Sequence, residues 1–319
     1  MANYVSDDEF VRVWCSLGSP SLIAKKLGIT ERAVHRRRVG LEAKGFRLPT
    51  FNDQSDRAVK RYMAVNYHDG RIDMEIDNGV VIVFSDAHFF PGVITTAHKG
   101  LLWAIKELKP TAIVCNGDAF DGSTISRHPR IGYDNKPTVM DELKAVTERL
   151  EEIKKASKTT NLIWPLGNHD SRFETYLAAS APQFQGVKGF ALKDHFPEWR
   201  ACWAFWINKQ VVIKHRWKGG VHATHNNTVN SGVSFVTGHL HQLKVTPFTD
   251  YNGRRYGVDT GTLADLYGPQ FVDYTEANPV NWQSGFAVLT FKNGQLLQPE
   301  LAQKWDEDTI EFRGQLIEV

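Results

Sequence analysis

Five short stretches of His, Asp and Asn, each directly after an apolar run, carry the chemistry in this sequence: Asp86-Ala87-His88, Gly117-Asp118, Gly167-Asn168-His169-Asp170, His215 and Gly238-His239-Leu240-His241. Imidazoles, carboxylates and an amide in this number suit two adjacent divalent cations, which need several ligands plus positions open to water and substrate. A group shared by two cations must neutralise both, which favours carboxylate, and neutral imidazoles suit first-row metals better than magnesium or calcium. Such a pair hydrolyses phosphate esters: a water bridging the ions ionises near neutral pH and attacks phosphorus, while the cations stabilise the displaced oxygens. A lone His in a chain with twelve is more often a surface or hydrogen-bonded residue, and that reading is kept for His35, His68, His98 and His195.

These motifs need strands to hold them. From Gly79 onward, apolar runs alternate with amphipathic stretches, the pattern of an α/β layer fold whose strands are buried on both faces. Val80–Phe84 precedes Asp86, Ala112–Cys115 precedes Gly117, Asn161–Trp164 precedes Gly167, Gln210–Lys214 precedes His215 and Val233–Val236 precedes Gly238. Helices are predicted over about Thr95–Leu108 and Thr138–Lys155, a further strand over Phe286–Phe291, and short elements at Arg61–Val65 and Ile72–Ile76. The chemistry thus falls on loops at strand ends, where open α/β sheets bind ligands.

At 319 residues and 42% hydrophobic content the chain can bury a large core. Cys15, Cys115 and Cys202 are odd in number and widely spaced, which fits neither a thiolate zinc site nor a disulfide framework and favours a reducing cytoplasm. No apolar run approaches the roughly 18 residues of a membrane span, and the start has no leader pattern, so neither membrane nor export is expected. A net charge of +2 excludes no partner, but Lys25 to Arg47 holds eight Lys/Arg against two Glu. There, Asp7–Leu17, a segment from Ser19-Pro20 to Leu27, and Glu31 to about Lys44 read as helices, the last two separated by Gly28 and the Thr30 cap. Helix, short turn and helix is the outline of a helix-turn-helix. Thr30, Arg32, His35 and Arg36 would then sit where side chains reach base edges, with Arg37, Arg38 and Lys44 at phosphates; a solvated helix face is the bland alternative.

The ordered set of five motifs closely resembles the calcineurin-like metallophosphoesterase family over about Val80 to Leu266. Each short motif is weak alone, and the set in order is specific. The resemblance implies a β-sandwich flanked by helices, a first metal held by Asp86, His88 and His241, a second held by Asn168, His215 and His239, and Asp118 bridging both. It also implies that His169 contacts the phosphate and assists the leaving oxygen, a role suited to an imidazole. Asp170 would orient His169 or support the metal shell, and Arg127, His128 and Arg172 are candidate substrate contacts because Arg pairs with phosphate. Two departures stand out. The Arg that follows the Gly-Asp motif in protein Ser/Thr phosphatases is missing after Asp121, and the fourth motif, commonly His-Gly, reads His215-Arg216, with His222 and His225 as competitors. Trp164, Trp203, Trp206 and Trp217 lie beside apolar runs and are assigned to packing.

The resulting organisation is a helix-turn-helix over 1–50, a linker over 51–77, a catalytic domain over 78–300 and a C-terminal tail over 301–319. The expected cofactors are two divalent ions, manganese first, with iron, zinc or nickel as substitutes. The expected activity is a DNA-cleaving phosphodiesterase, with an arrangement like phosphoesterases of bacteriophage, DNA as partner and room for a homo-oligomer. The alternatives are a small-molecule phosphatase or cyclic-nucleotide phosphodiesterase, and a DNA-binding regulator with an inactive phosphoesterase domain.

Overall fold

The computed structural model describes residues 5–17, 19–46, 48, 68–127, 136–275 and 278–319. It divides into two compact units, 1–66 and 67–319. The element expected at Arg61–Val65, and His128, lie outside the described residues.

In the first unit, α1 (Asp7–Leu17), α2 (Pro20–Leu27) and α3 (Glu31–Ala43) follow the sequence signals closely. Phe10, Val13 and Trp14 recur at helical spacing and are buried, so α1 presents one apolar stripe to Ile23, Val34 and Leu41. Pro20 opens α2, which stops at Gly28 in the left-handed region (φ 65°), and the Gly28 N–H is donated to the Ala24 carbonyl. Ser19 makes no cap hydrogen bond; its hydroxyl meets that of Ser21 at 3.0 Å. Thr30 does cap α3, accepting from the Ala33 N–H at 3.2 Å.

The basic residues of α3 divide into two sets. Arg37 donates to Asp7 at 3.1 Å and lies 5.1 Å from the Phe10 ring centre. Arg38 pairs with Glu42 at 2.8 Å over the Trp14 ring, and Lys44 reaches Asp7 at 3.0 Å. These three cations fasten α3 to itself and to α1, and the stems of Arg37 and Arg38 lie against buried rings, where they gain packing as well as pairing. Lys25, Lys26, Arg32, His35 and Arg36 remain exposed.

The second unit is a two-sheet sandwich with helices outside. One sheet runs in the order β15-β14-β13-β11-β2-β3-β4-β5, from β2 (Gly79–Phe84), β3 (Ala112–Cys115), β4 (Leu162–Pro165), β5 (Arg200–Cys202), β11 (Gly285–Lys292), β13 (Glu300–Lys304), β14 (Thr309–Phe312) and β15 (Gln315–Glu318), with β12 (Gln295–Leu296) paired to β11. The other runs β1-β6-β7-β8-β10-β9, from β1 (Ile72–Met74), β6 (Phe205–Ile207), β7 (Val211–Ile213), β8 (Ser234–Thr237), β9 (Lys244–Asp250) and β10 (Gly253–Asp259). Strands β2 to β5 are parallel, and β11 lies antiparallel to β2.

Alternation along a strand assigns each side chain to one of two cores. Val81, Val83, Val114, Ile163 and Leu289 meet Ile213, Val236 and Val258 between the sheets. Ile82, Phe84, Ile113 and Val288 point the other way, onto Leu101 and Ile105 of α4 (Thr96–Leu108) and Val146 and Leu150 of α5 (Val139–Ala156). Burial on both faces is why these strands read as continuous apolar runs, each large side chain contributing about 1.5–3 kcal/mol. Thr95 and Thr138 cap the two helices, as the sequence indicates. The remaining helices are α6 (Arg172–Ser180), α7 (Ala223–Ser231), which packs on β8, β9 and β10, and the short α8 (Val272–Thr275).

The stretch expected as a tail, 301–319, instead supplies most of β13 and all of β14 and β15. These strands sit at the edge of the sheet and bury few apolar residues, chiefly Ala302, Ile310 and Phe312, so their pattern is mostly polar. Among the described residues, no helix is long and apolar enough to cross a membrane.

Candidate metal centre

Every motif lies just beyond the C-terminal end of a strand: Asp86 and His88 after β2, Asp118 after β3, Asn168 and His169 after β4, His215 after β7, His239 and His241 after β8. The chain turns sharply there. Asp86, His88, Asp118, His239 and His241 all have positive φ, between 37° and 71°, a region that L-residues other than Asn, Asp and His rarely enter. Gly117 (φ 85°) is needed because a Cβ would lie 2.5 Å from the His215 ring, and one on Gly167 would lie 1.9 Å from Asp118 Oδ1.

The fold gathers the candidate ligands into neighbouring groups. Asp86, His88 and His241 could hold one ion, and Asp118, His215 and His239 another. His215 Nε2 stands 3.0 Å from Asp118 Oδ2 and 4.0 Å from Asp86 Oδ1, and His241 Nε2 lies 3.0 Å from Asp86 Oδ1. His215, rather than His222 or His225, occupies the fourth motif position at the centre. It donates Nδ1–H to the Asn116 carbonyl at 2.7 Å, which turns Nε2 toward the carboxylates. Buried donor atoms here lack well-angled partners: His215 Nε2, His241 Nδ1 and the Asn168 Oδ1. A buried polar atom without a partner is costly, so the donor set fits divalent cations.

Electrostatics points the same way. Burial alone would raise Asp86, but the charges of His241 and His215 lower it to about 2. For Asp118, burial is again outweighed, here by His215 and His169, and the carboxyl lies well below its usual range. Burial would lower His215, yet Asp118 and Asp86 raise it to about 10. His239 is pushed down to about 4 by burial and then by His215. Without metal, a proton on His215 therefore supplies the positive charge that the carboxylates require. The sign follows: stability from a raised histidine is complete below its unfolded value near 6.5 and is lost as pH rises through about 10. Chelator-treated protein is expected to melt at a lower temperature at pH 10 than at pH 7, and this loss should shrink in metal-loaded protein, where a cation takes the proton's place. Thermal melts at both pH values check it.

His169 and its surroundings form a third group with Asp121 and His88. His169 Nδ1 is 2.6 Å from Asp121 Oδ1, its backbone N–H is donated to Asp118 Oδ1 at 2.8 Å, and Nε2 lies 3.9 Å from Asp118 Oδ2. Burial would lower His169, but Asp118 and then Asp121 outweigh it and raise its pKa. Asp121 also meets His88 Nδ1 at 3.1 Å. Asp121, therefore, orients His169. Asp170 does not: its carboxylate accepts from Trp164 Nε1 and the backbone N–H groups of Asp118, Ala119, Phe120 and Gly167 at 2.8 to 3.1 Å, tying the β3 and β4 loops together. Arg172 is anchored on the Asp121 carbonyl at 2.8 Å, with its guanidinium 3.2 Å from His169 Nε2, whereas Arg127 lies exposed on the loop after Asp121. The structure gives no placement for His128.

Asp259, at the end of β10, belongs to this region and was not singled out in the sequence. It is fully buried, accepts from the Gln242 and Gly261 N–H groups at 3.0 and 3.1 Å, and is raised to about 7 by burial and the charge of Asp86. Its signal was there: a carboxylate closing the run Tyr256-Gly257-Val258, as Asp86 closes its own. The histidines assigned ordinary roles behave so, with His68 on Glu174, His98 on Glu152 and His195 on the Gly189 carbonyl.

The Gene 54 protein of Mycobacterium phage L5 is 32% identical over 155 residues, 42% of this chain and 58% of that protein. Its counterpart in Mycobacterium phage D29 is 29% identical over 157 residues, with the same coverage, so the match spans under two thirds of either relative. Among solved structures, Vps29 of Entamoeba histolytica in complex with zinc has a TM-score of 0.40 at 13% identity, covering 75% of this chain and 98% of that one. The phosphoesterase Yfce of E. coli has a TM-score of 0.33 at 16% identity, covering 69% and 97%. A family model described as calcineurin-like phosphoesterase matches residues 79–267, which contain every motif and the strands that carry them. The chain belongs to the calcineurin-like phosphoesterase family.

Proposed function

We propose that the protein is a two-metal phosphodiesterase that cleaves nucleic acid, DNA first, with its N-terminal helices binding the DNA. The observation that carries the catalytic half is the pair of neighbouring groups, Asp86 with His88 and His241 and Asp118 with His215 and His239, together with the buried Asn168 Oδ1 and His215 Nε2 that lack well-angled hydrogen-bond partners. Asp86, His88 and His241 would hold one ion, Asn168, His215 and His239 the other, and Asp118 both. Manganese is the expected metal, with iron, zinc or nickel able to replace it. When bound, the ions supply Lewis acidity and an activated water. The side chains do the rest. Asp121 sets the ring of His169 so that Nε2 faces the Asp118 side, where it can contact the phosphate and hand a proton to the leaving oxygen. Asp170 fixes the loops that carry Asp118 and His169, and Arg172 steadies the other edge of the imidazole.

The DNA half is supported by the turn between α2 and α3 and by the exposed Lys25, Lys26, Arg32, His35 and Arg36, with Thr30 acting as the helix cap. Neutralising Lys25, Lys26, Arg32 and Arg36 together is expected to weaken DNA binding and flatten its dependence on salt by up to about four units of slope, while small-diester hydrolysis is retained. Arg37→Ala should instead lower the stability of the helical unit. Filter binding across a salt series, beside thermal melts, separates the two effects. The decisive test of function is cleavage of end-labelled single- and double-stranded DNA with added manganese. Metal-dependent cutting supports the proposal; intact DNA beside hydrolysis of bis(p-nitrophenyl) phosphate would move the substrate to a small molecule.

A further inference from the structure

A cleft of about 470 Å³ opens beside His239 and Gly167, on the side of the centre where Asp118, His215 and His239 meet. Lys214, Arg216, Trp217 and Lys218 line it, and among the described residues no carboxylate does. The arginine that replaces the usual glycine after the fourth-motif histidine therefore stands in a cationic wall next to the reacting centre. The wall is firmly built. The Lys218 N–H is donated to the Asn227 side chain at 3.1 Å, and Asn227, itself buried, donates back to the Lys218 carbonyl at 3.3 Å. Trp217 is stacked on the buried Phe235, ring centres 5.3 Å apart and planes 27° apart, yet keeps 47% of its surface exposed. The other tryptophans near apolar runs are less open: Trp164 is buried, and Trp203 and Trp206 are half-buried.

We infer that Arg216, Trp217 and Lys218 form a subsite for the nucleotide next to the scissile phosphodiester, with its outer phosphate on the two cations and its base against the Trp217 face. Three features point to this ligand chemistry. Guanidinium and ammonium groups with no acid among them attract a second anion. The indole is exposed and held rigid by a buried ring, and it carries the Lys218 ammonium 5.5 Å from its ring centre; that cation moves onto the phosphate as a planar base stacks on the ring. The position, sharing His239 and Gly167 with the centre, puts that nucleotide beside the phosphate being cleaved. A small monoester would leave the subsite unfilled, so the cleft selects for substrates with a second phosphate. The inference rests on the nucleic-acid reading above for its polymer substrate, and the cleft's preference for a second phosphate is measured apart from it.

The test is titration calorimetry on manganese-loaded protein, comparing inorganic phosphate with a nucleoside bisphosphate that carries one phosphate on each side of the sugar. The wild type is expected to bind the bisphosphate at least about tenfold more tightly than phosphate, an advantage that Arg216→Gln with Lys218→Gln removes. Trp217→Ala should cost roughly five- to tenfold on the bisphosphate alone, and Trp217→Phe should restore most of it. Equal affinity for the two probes in the wild type, or an advantage untouched in the variants, overturns the subsite. A parallel digestion of short DNA distinguishes the readings: intact DNA with a preserved bisphosphate advantage removes the nuclease and keeps a nucleotide subsite, while cut DNA without the advantage does the reverse.

Discussion

Asp118→Asn is expected to leave a folded protein that no longer loads its metals and whose turnover falls at least about a thousandfold, some 4 kcal/mol at about 1.4 kcal/mol per decade. Asparagine keeps the shape of the side chain and tolerates the φ of 55° at this position, so the change is one of charge. That charge acts on two imidazoles: Asp118 is 3.0 Å from His215, its Oδ1 receives the His169 N–H, and it is the largest upward influence on the pKa of each. Metal content per chain, measured beside circular dichroism, checks the claim. A variant that still bound both ions at full stoichiometry would show that Asp118 is not the shared ligand. The same substitution should weaken the alkaline loss of stability in metal-free protein, because His215 would no longer be held protonated by this neighbour.

His169→Ala should keep its metals but lose about a hundredfold to ten-thousandfold in turnover, the usual span for a positioned acid or base. The side chain is half-buried beside Asp121 and Asp118 but is absent from the two groups assigned to the ions. Asp121→Asn tests how it is positioned. Removing that carboxylate's charge lowers the pKa of His169, so activity that needs the protonated ring should fade at a lower pH than in the wild type. A pH–rate profile with unchanged shape would deny Asp121 this role. Full turnover in His169→Ala would leave the leaving oxygen without the protonating group assigned to it.

The catalytic unit could be read from sequence to the extent that its strands are buried on both faces. Val80–Phe84 and Ala112–Cys115 are apolar at consecutive positions because one residue faces the other sheet and the next faces the helices, and each run stops where the motif begins. The Thr caps at 30, 95 and 138 marked helix starts for a local reason, a side-chain oxygen accepting a backbone N–H. Strands toward the sheet margins gave no such signal. In β13 only Ala302 is buried, and the hairpin of β9 and β10 exposes much of β9, so charge and polarity hide both. The role of Asp170 could not be deduced from its neighbour His169, since its partners come from the chain about fifty residues earlier as well as from its own loop. The division among Arg36, Arg37 and Arg38 likewise depends on where Asp7, Phe10 and Trp14 sit in α1, a tertiary fact that a local charge count does not contain.

The left-handed backbone at Asp86, His88, Asp118, His239 and His241 sets the chemical alphabet available to this centre. Of the side chains that coordinate cations, aspartate, asparagine and histidine tolerate that conformation, whereas others meet a cost of roughly 1–2 kcal/mol at each position. Exchanges within that alphabet can retune charge and hardness without rebuilding the loops. A redesign toward thiolate ligands, and so toward softer metals, has its openings at Asn168 and His215, which lie outside the left-handed set, and would strain the chain at the other five.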